Sequence, residues 1–506
     1  MSKDHRVSDR SRAIVIGAGI GGLAAALDLA CRGLQVIVLE SSDAPGGKMR
    51  QVEIDGQYID SGPTVFTMPW VFEQLFKDAG TQLRDRLAVQ PADLLARHFW
   101  TDGSRLDLFA DAEQSAAAIA AFAGPSEADR YLAFCERAQR VFQTLDAPFM
   151  RAQRPTPWSL VRTSGLRGLL DLWRIQPFQT LWGRLGKTFR DPRLQGLFAR
   201  YATYCGASPM LAPATLMLIA HVEQRGVWQV EGGMQRLAEA LARLLLEKGG
   251  EIRYGATARD LDVRDGRAVG VILDSGERLA AEAVIANTDV AAIGASLLGQ
   301  AAAAAVKPPE PAQRSLSALT WSLVATSSGQ QLAHHNVFFP PSYPQEFVDI
   351  FRHRRLPSQP AVYLCAQDRG AGANSPAGSE RLFLITNAPA SGDRADFGSD
   401  NIAAVESAAF QLLSDCGLKL DIRTGQSVVT TPADFERRFP GTGGALYGQA
   451  PHGWRSSFSR PGARSHLPGL YLAGGSVHPG PGVPMVALSG RLAAAAVAAD
   501  IHHPGP

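Results

Sequence analysis

The stretch from Ala13 to Glu40, AIVIGAGIGGLAAALDLACRGLQVIVLE, restricts the fold more than any other part of the chain. A short apolar run meets a glycine cluster, an alanine-rich helical pattern follows, and a second apolar run closes on an acid. Gly17, Gly19 and Gly22 stand at the spacing G-x-G-x-x-G. In such a turn the first glycine permits the bend, the second lets a pyrophosphate approach the backbone, and the third lets helix and strand pack closely. The helix they open offers free N–H groups and the positive end of its dipole to the anion. Glu40 lies 18 residues beyond Gly22, near the roughly 20 typical of an acid that accepts hydrogen bonds from a ribose. The glycines alone are a weak signal. Strand, glycines, helix, strand and acid in that order predict a βαβ dinucleotide-binding unit.

A secretory signal is the rival reading, because Arg10 and Arg12 precede an uncharged run from Ala13 to Leu27. Asp28, the continuing helix pattern and the acid-terminated second strand argue that the run belongs to the fold. At 506 residues, 45% apolar and 19% charged, the chain is globular and long enough for two or three domains. A net charge of +2 gives no reason to expect nucleic acid. Cys31, Cys135, Cys205, Cys365 and Cys416 lie far apart without C-x-x-C spacing, so neither a metal site nor a disulfide framework is expected, and a reduced compartment suits them. No run of 18 apolar residues occurs, and no membrane span is expected.

Downstream of Glu40, Gly46 and Gly47 with Lys48 and Arg50 form a glycine-plus-cation loop whose basic side chains are placed to reach phosphates. Gln51 to Tyr58 alternates about Asp55-Gly56 as a hairpin does, and Asp60-Ser61-Gly62-Pro63-Thr64 reads as a turn. From 81 to 224 the pattern becomes helical. Within it, residues 151 to 190 carry Arg151, Arg154, Arg162, Arg167, Arg174, Arg184, Lys187 and Arg190 against one acid, Asp171, with Trp158, Trp173, Phe178 and Trp182 interleaved. This suits a surface at a membrane interface; a solvated basic face over core-packed tryptophans is the alternative. Gly232-Gly233-Met234 opens an amphipathic helix that stops at Gly249-Gly250, and a meander follows with turns at Asp265-Gly266 and Ser275-Gly276. From 301 to 454 strands and helices mix, as a sheet flooring an apolar cavity would, with a turn at Asn374-Ser375-Pro376. The closing stretch pairs a buried strand, Leu470 to Ala473, with a second close backbone approach at Gly474-Gly475-Ser476 and an alanine-rich helix from Val486. The N-terminus of that helix suits negative charge. The domain expectation is therefore a discontinuous nucleotide domain (1–80, 225–300 and 455–506), a helical subdomain (81–224) and a substrate domain (301–454).

The loop after Glu40 resembles that of glutathione-reductase-type flavoproteins acting on amines or carotenoids. Over nearly the whole chain the motifs VIGAGIGGLAAAL, VLESSDAPGGK, DSGPT, GASP, VEGGMQRLAEAL, HNVFF and YLAGGSVHPGPGVP resemble the bacterial carotenoid desaturases related to phytoene desaturase. Val477 before His478-Pro479-Gly480, and Met485 after Pro484, look more like the 1-hydroxycarotenoid 3,4-desaturases (hydroxyneurosporene or methoxyneurosporene dehydrogenases) than phytoene desaturase itself. The resemblance implies an α/β fold with a discontinuous glutathione-reductase-type FAD-binding Rossmann domain, a mixed-sheet substrate domain and a helical membrane-facing subdomain. It implies non-covalently bound FAD, held by Gly17, Gly19, Gly22, Glu40, Gly47 and Lys48, with Pro63, Thr64, Gly475, Ser476 and Met485 near the flavin and Ala258 against the adenine.

The reaction so implied removes two hydrogens from adjacent carbons of a C40 polyene in spheroidene- or spirilloxanthin-type carotenoid synthesis, the hydride equivalent going to the flavin. His478 is a candidate catalytic residue, with a structural role as its alternative; no acid–base pair announces itself. Oxygen and a quinone both remain open as electron acceptor. The expected partners are a hydrophobic carotenoid and, peripherally, the cytoplasmic face of a membrane, without nucleic acid. Phytoene desaturase, a flavin amine oxidase and a non-catalytic lipid escort of the same fold stand as alternatives.

Overall fold

The computed structural model describes residues 11–156, 178–370, 376, 378–394 and 397–502. Five short parallel strands form the nucleotide sheet in the order Glu251–Arg253, Gln35–Leu39, Arg12–Ile16, Ala283–Ala286, Leu470–Leu472. Both faces are covered, so the strands are almost wholly apolar, as RAIVI and QVIVL require. The uncharged run from Ala13 to Leu27 is thus the first strand and the buried part of helix Ile20–Cys31. Asp28 is buried on that helix between Arg32 (2.6 Å) and Arg491 (3.1 Å), which ties it to the C-terminal helix Val483–His502.

The C-terminal helix has the length and apolarity of a membrane span over Val483–Ile501, although no uninterrupted apolar run announced it. Half of it is buried inside the protein. A Cβ at its Gly490 would lie 2.1 Å from the Gly21 carbonyl, so the two helices touch backbone to backbone as a core pair.

A seven-stranded sheet makes the second layer, in the order Leu418–Thr430, Ser317–Gly329, Glu380–Ala388, Val362–Ala366, His335–Phe339, Leu94–Trp100, Arg105–Phe109. Every neighbouring pair is antiparallel except His335–Phe339 with Leu94–Trp100. On the strand Ser317–Gly329, second in that order, Leu319, Trp321 and Leu323 pack with Val405, Ala409 and Leu412 of helix Gly398–Asp415, while Ala318 and Thr320 face the cavity described below. The two-residue period of a strand separates these sets.

Between residues 81 and 224 the structure differs from a wholly helical reading, because Val89–Pro91, Leu94–Trp100 and Arg105–Phe109 are strands. Two of them extend the sheet of the 301–454 stretch. Their signal is Asp102-Gly103, a hairpin turn between two runs with alternating apolar residues. Helices begin at Ala112–Ala123, capped by the Asp111 side chain on the N–H groups of Glu113 and Gln114, and continue in Pro125–Leu145. Trp158, Trp173, Arg162, Arg167, Arg174, and Asn374-Ser375 of the expected turn, lie outside the described residues.

Candidate functional site

A single cavity of about 1920 Å³ runs from the glycine turn of the nucleotide sheet to the inner face of the seven-stranded sheet. Pockets for drug-sized ligands occupy roughly 300–1,000 Å³. This one has room for a dinucleotide together with a long apolar molecule. Of the residues expected to hold the cofactor, Gly17, Gly19, Glu40, Gly47, Lys48, Pro63, Thr64, Gly475, Ser476 and Met485 all line it. The chain brings them together from its two ends.

At the glycine end the turn is pinned by Gly17 N–H donating to the Leu39 carbonyl (2.7 Å). A Cβ at Gly22 would lie 2.0 Å from the Gly17 carbonyl, so Gly22 serves helix–strand packing and stays behind the cavity wall. Sequence reasoning missed the reason for the rest of the glycine cluster, which is Asn287. Its amide nests among Gly19, Gly21, Gly22 and Gly474, where added Cβ atoms would come within 2.7 to 3.0 Å of it, and it donates to the Gly17 carbonyl at 3.3 Å. Asn287 directly follows the strand Ala283–Ala286, which is the one local clue.

The buried Glu40 carboxylate accepts from Ala18 N–H (2.7 Å) and Ser42 N–H (2.9 Å), so it is locked at the end of its strand facing the cavity. Beside it Gln235 donates to the Pro45 carbonyl, but its Oε1, buried in the cavity wall, has no partner. A glycine cradle, a fixed carboxylate and an orphaned buried acceptor fit the phosphates and hydroxyls of a dinucleotide.

Lys48 is engaged within the protein, and Ala258 is placed differently. Lys48 Nζ donates to the Leu446 carbonyl (2.8 Å) and lies 5.3 Å from the Phe439 ring centre. Burial lowers its pKa, and its ammonium ties the nucleotide and substrate layers together from within the cavity wall. Ala258 does not line the cavity; it packs beneath the five-stranded sheet. The preceding backbone, Gly255 and Ala256, is tied to Ser42 and Glu40, so the segment Ser41 to Ala44 forms that wall instead.

His478 is also outside the lining, although Pro479 is part of it. Its Nε2 donates to the Phe149 carbonyl at 2.8 Å, and burial pushes its pKa down to about 4, leaving it neutral near pH 7. The adjoining Gly475 carbonyl accepts from buried Arg460 (2.7 Å), which also donates to the Tyr447 and Gln449 carbonyls. Ser476 Oγ accepts from Val290 N–H (3.0 Å). The C-terminal glycine loop is therefore clamped from three sides.

At the far end the wall turns apolar. Ala318, Phe383, Ile385, Leu216 and Ile219 line it, and Phe149, Phe178, Trp454 and Phe458 form an aromatic rim. A polar group interrupts this chamber. Thr64 Oγ1 and Tyr363 Oη lie 2.6 Å apart, and Tyr363 Oη meets His335 Nδ1 at 2.7 Å. Arg200 lies 5.1 Å from the Tyr363 ring centre and 5.5 Å from that of Tyr204. Glu223 accepts from Tyr201 (2.9 Å) and Tyr204 (2.8 Å), and burial raises its pKa. Of these residues only Thr64, and His335 in the HNVFF motif, stood out in the sequence, since the group is scattered from 64 to 363.

His334, His335 and Cys365 place ligand-type atoms within 4.8 Å of one another. The available atoms are largely engaged: His334 Nδ1 donates to the Arg369 carbonyl (2.7 Å) and its Nε2 lies 3.5 Å from Cys365 Sγ. Burial raises the Cys365 pKa, which disfavours the thiolate a metal needs.

The family model of flavin-containing amine oxidoreductases matches residues 20–498. The chain is 53% identical over 494 residues to a hydroxyneurosporene desaturase of Rubrivivax gelatinosus, covering 97% of this chain and 94% of the relative. It is 44% identical over 490 residues to a hydroxyneurosporene desaturase of Cereibacter sphaeroides, covering 97% and 98%. Among solved structures an oxidoreductase from Methanosarcina mazei shares the fold, with a TM-score of 0.62 at 16% identity, over 95% of this chain and 99% of that one.

Proposed function

We propose, since the chain belongs to the flavin-containing amine oxidoreductase family and within it to the FAD-dependent carotenoid desaturases, that it introduces the C3,4 double bond of 1-hydroxylated C40 carotenoids. The observation that carries this reading is the single cavity, which joins a dinucleotide cradle to a largely apolar chamber. Bound FAD supplies the two-electron acceptor that such a dehydrogenation needs. On this reading Gly17, Gly19 and Glu40 would hold its adenosine diphosphate half and Pro63, Thr64, Gly475 and Met485 would meet its ring, supported by their all lining the one cavity. The chamber walls orient the chain and exclude water, so that the carbons to be oxidised are presented in one register.

The division into a discontinuous FAD domain (1–80, 225–300, 455–506), a subdomain at 81–224 and a substrate domain at 301–454 belongs to the same proposal, with the two sheet strands near residue 100 assigned to the substrate layer. So does a peripheral attachment to the cytoplasmic membrane face. Phe178 is 71% exposed beside Trp454 at the cavity rim, with Arg455 over the Trp454 ring at 5.3 Å. Aromatic and cationic side chains together suit the lipid headgroup layer, from which a carotenoid would enter.

The deciding experiment is expression in two hosts that lack the activity, one accumulating phytoene and the other 1-hydroxylated neurosporene, followed by pigment chromatography. Conversion in the second host alone is expected. Conversion of phytoene to coloured products would make the protein a phytoene desaturase.

A further inference from the structure

A 1-hydroxycarotenoid carries its only polar group beside the bond that is oxidised, since a single carbon separates C1 from C3. Whatever reads the hydroxyl must therefore stand next to the flavin-facing turn and not at the distant end of the polyene. Thr64 belongs to that turn, and the polar group joined to it through Tyr363 meets this requirement.

Two members of the group have unused hydrogen-bonding capacity. Tyr343 lines the cavity at 5% exposure, and its Oη has no hydrogen-bond partner. Its ring is fixed edge-on between Phe339 (5.3 Å) and Phe347 (5.1 Å), so the hydroxyl cannot swing away to find one. Arg200 lines the same wall within electrostatic reach of Tyr343, and among the described residues no carboxylate lies at ion-pair distance from it. The stranded phenol leaves its desolvation uncompensated, while the Arg200 guanidinium, held against the Tyr204 and Tyr363 rings and within electrostatic reach of Glu223, stands in the same wall with N–H donors to spare. The cost at the phenol is removed by one oxygen that donates to it while accepting from the guanidinium. A tertiary alcohol is such an oxygen, and a hydrocarbon end is not.

Resting on the desaturase reading above, we propose that Arg200 and Tyr343 bind the tertiary hydroxyl of the substrate and set its preference over the carotenoid that lacks it. The hydroxyl accepts a hydrogen bond from Arg200 and donates one to Tyr343 Oη. This anchors C1 and so fixes which bond meets the flavin. A site of this kind rejects an analogue without the hydroxyl because its own polar groups are then left unpaired.

The test uses flavin-loaded enzyme in detergent micelles with 1-hydroxyneurosporene and neurosporene, reading kcat/KM for each and Kd from quenching of tryptophan fluorescence. Wild type is expected to favour the hydroxylated carotenoid about 100-fold or more. Arg200→Met is expected to lower that preference by about 10- to 100-fold, the range for a hydrogen bond to a charged group, and Tyr343→Phe by about 3- to 10-fold. Tyr343→Phe removes only an unpartnered oxygen, so its folding is secure even if Arg200→Met is poorly expressed. Preference retained in Tyr343→Phe and Arg200→Met would mean that both groups merely hold water, and would overturn this assignment while leaving the desaturase reading intact. A wild type that treats the two carotenoids alike would overturn this assignment together with the 1-hydroxycarotenoid preference of the proposed function.

Discussion

His478 Nε2 donates a hydrogen bond to the Phe149 carbonyl at 2.8 Å, and the two rings meet edge to face at 5.1 Å. The contact joins the C-terminal glycine loop to the π-helical turn Asp146–Met150 at the cavity rim. Burial brings the folded-state pKa down to about 4, against about 6.5 in an unfolded chain. The unfolded state thus binds the extra proton between these values. Stability from this residue is complete above pH 6.5 and is lost as pH falls toward 4. His478→Ala should cost about 1–3 kcal/mol at pH 7.5 in denaturant unfolding, and the difference from wild type should shrink at pH 5. Activity per bound flavin should persist. A fall of about 100-fold or more, the size expected for loss of a general base, would return His478 to the reaction.

Gly22→Ala should abolish the yellow chromophore. Its Cβ would meet the Gly17 backbone carbonyl at 2.0 Å, with the Asn287 side chain at 3.0 Å closing the other side. Gly33→Ala is the control, since it has a positive φ (+90°), which Gly22 does not, but nothing within 4 Å. It should retain flavin and cost only about 1–2 kcal/mol of backbone strain. Equal flavin content in both variants, measured at 450 nm, would refute the packing argument.

Glu346 gives a pH dependence of opposite sign. It is fully buried, accepts from Ala361 N–H (2.9 Å) and Asn387 Nδ2 (2.6 Å), and burial raises its pKa to about 7. The folded state holds a proton that the unfolded chain releases near 4.3. Stability is complete below that value and declines as pH rises to 7, by up to about 3 kcal/mol. Glu346→Gln should therefore gain on wild type between pH 4.5 and 8. Parallel stability curves for the two proteins would show that Glu346 is ionised when folded.

Phe178→Ser with Trp454→Ser should weaken sedimentation with anionic liposomes by about 10-fold or more, from lost apolar burial. Replacing Arg151, Arg184, Lys187 and Arg190 by glutamine should weaken it further at low salt, at about 1 kcal/mol per cation near the surface. Binding unchanged in both variants would place the membrane contact elsewhere or remove it.

The nucleotide unit was legible because its determinants are local. The glycine spacing, the helix and the two strands lie within one βαβ segment, and each residue there acts through neighbours in the chain. Glu40 illustrates this, since its carboxylate is fixed by Ala18 and Ser42. The motif around Gly475 was legible for the same reason. What could not be read was every role defined by a residue remote in sequence. Asn287 explains four of the glycines but is 270 positions from Gly17. Lys48 lines the cavity as expected, but its bond to the Leu446 carbonyl, 398 residues away, carries no signal in the sequence. The strands Leu94–Trp100 and Arg105–Phe109 form a hairpin whose Asp102-Gly103 turn is a local signal, but that the first of them pairs in parallel with His335–Phe339 and so joins the substrate sheet is a tertiary fact. The polar group of Arg200, Tyr343 and Tyr363 is assembled from three elements that carry no shared period. Local spacing fixes what a segment can bind through its backbone, but only tertiary packing decides which side chains are left buried, unpaired and facing the cavity.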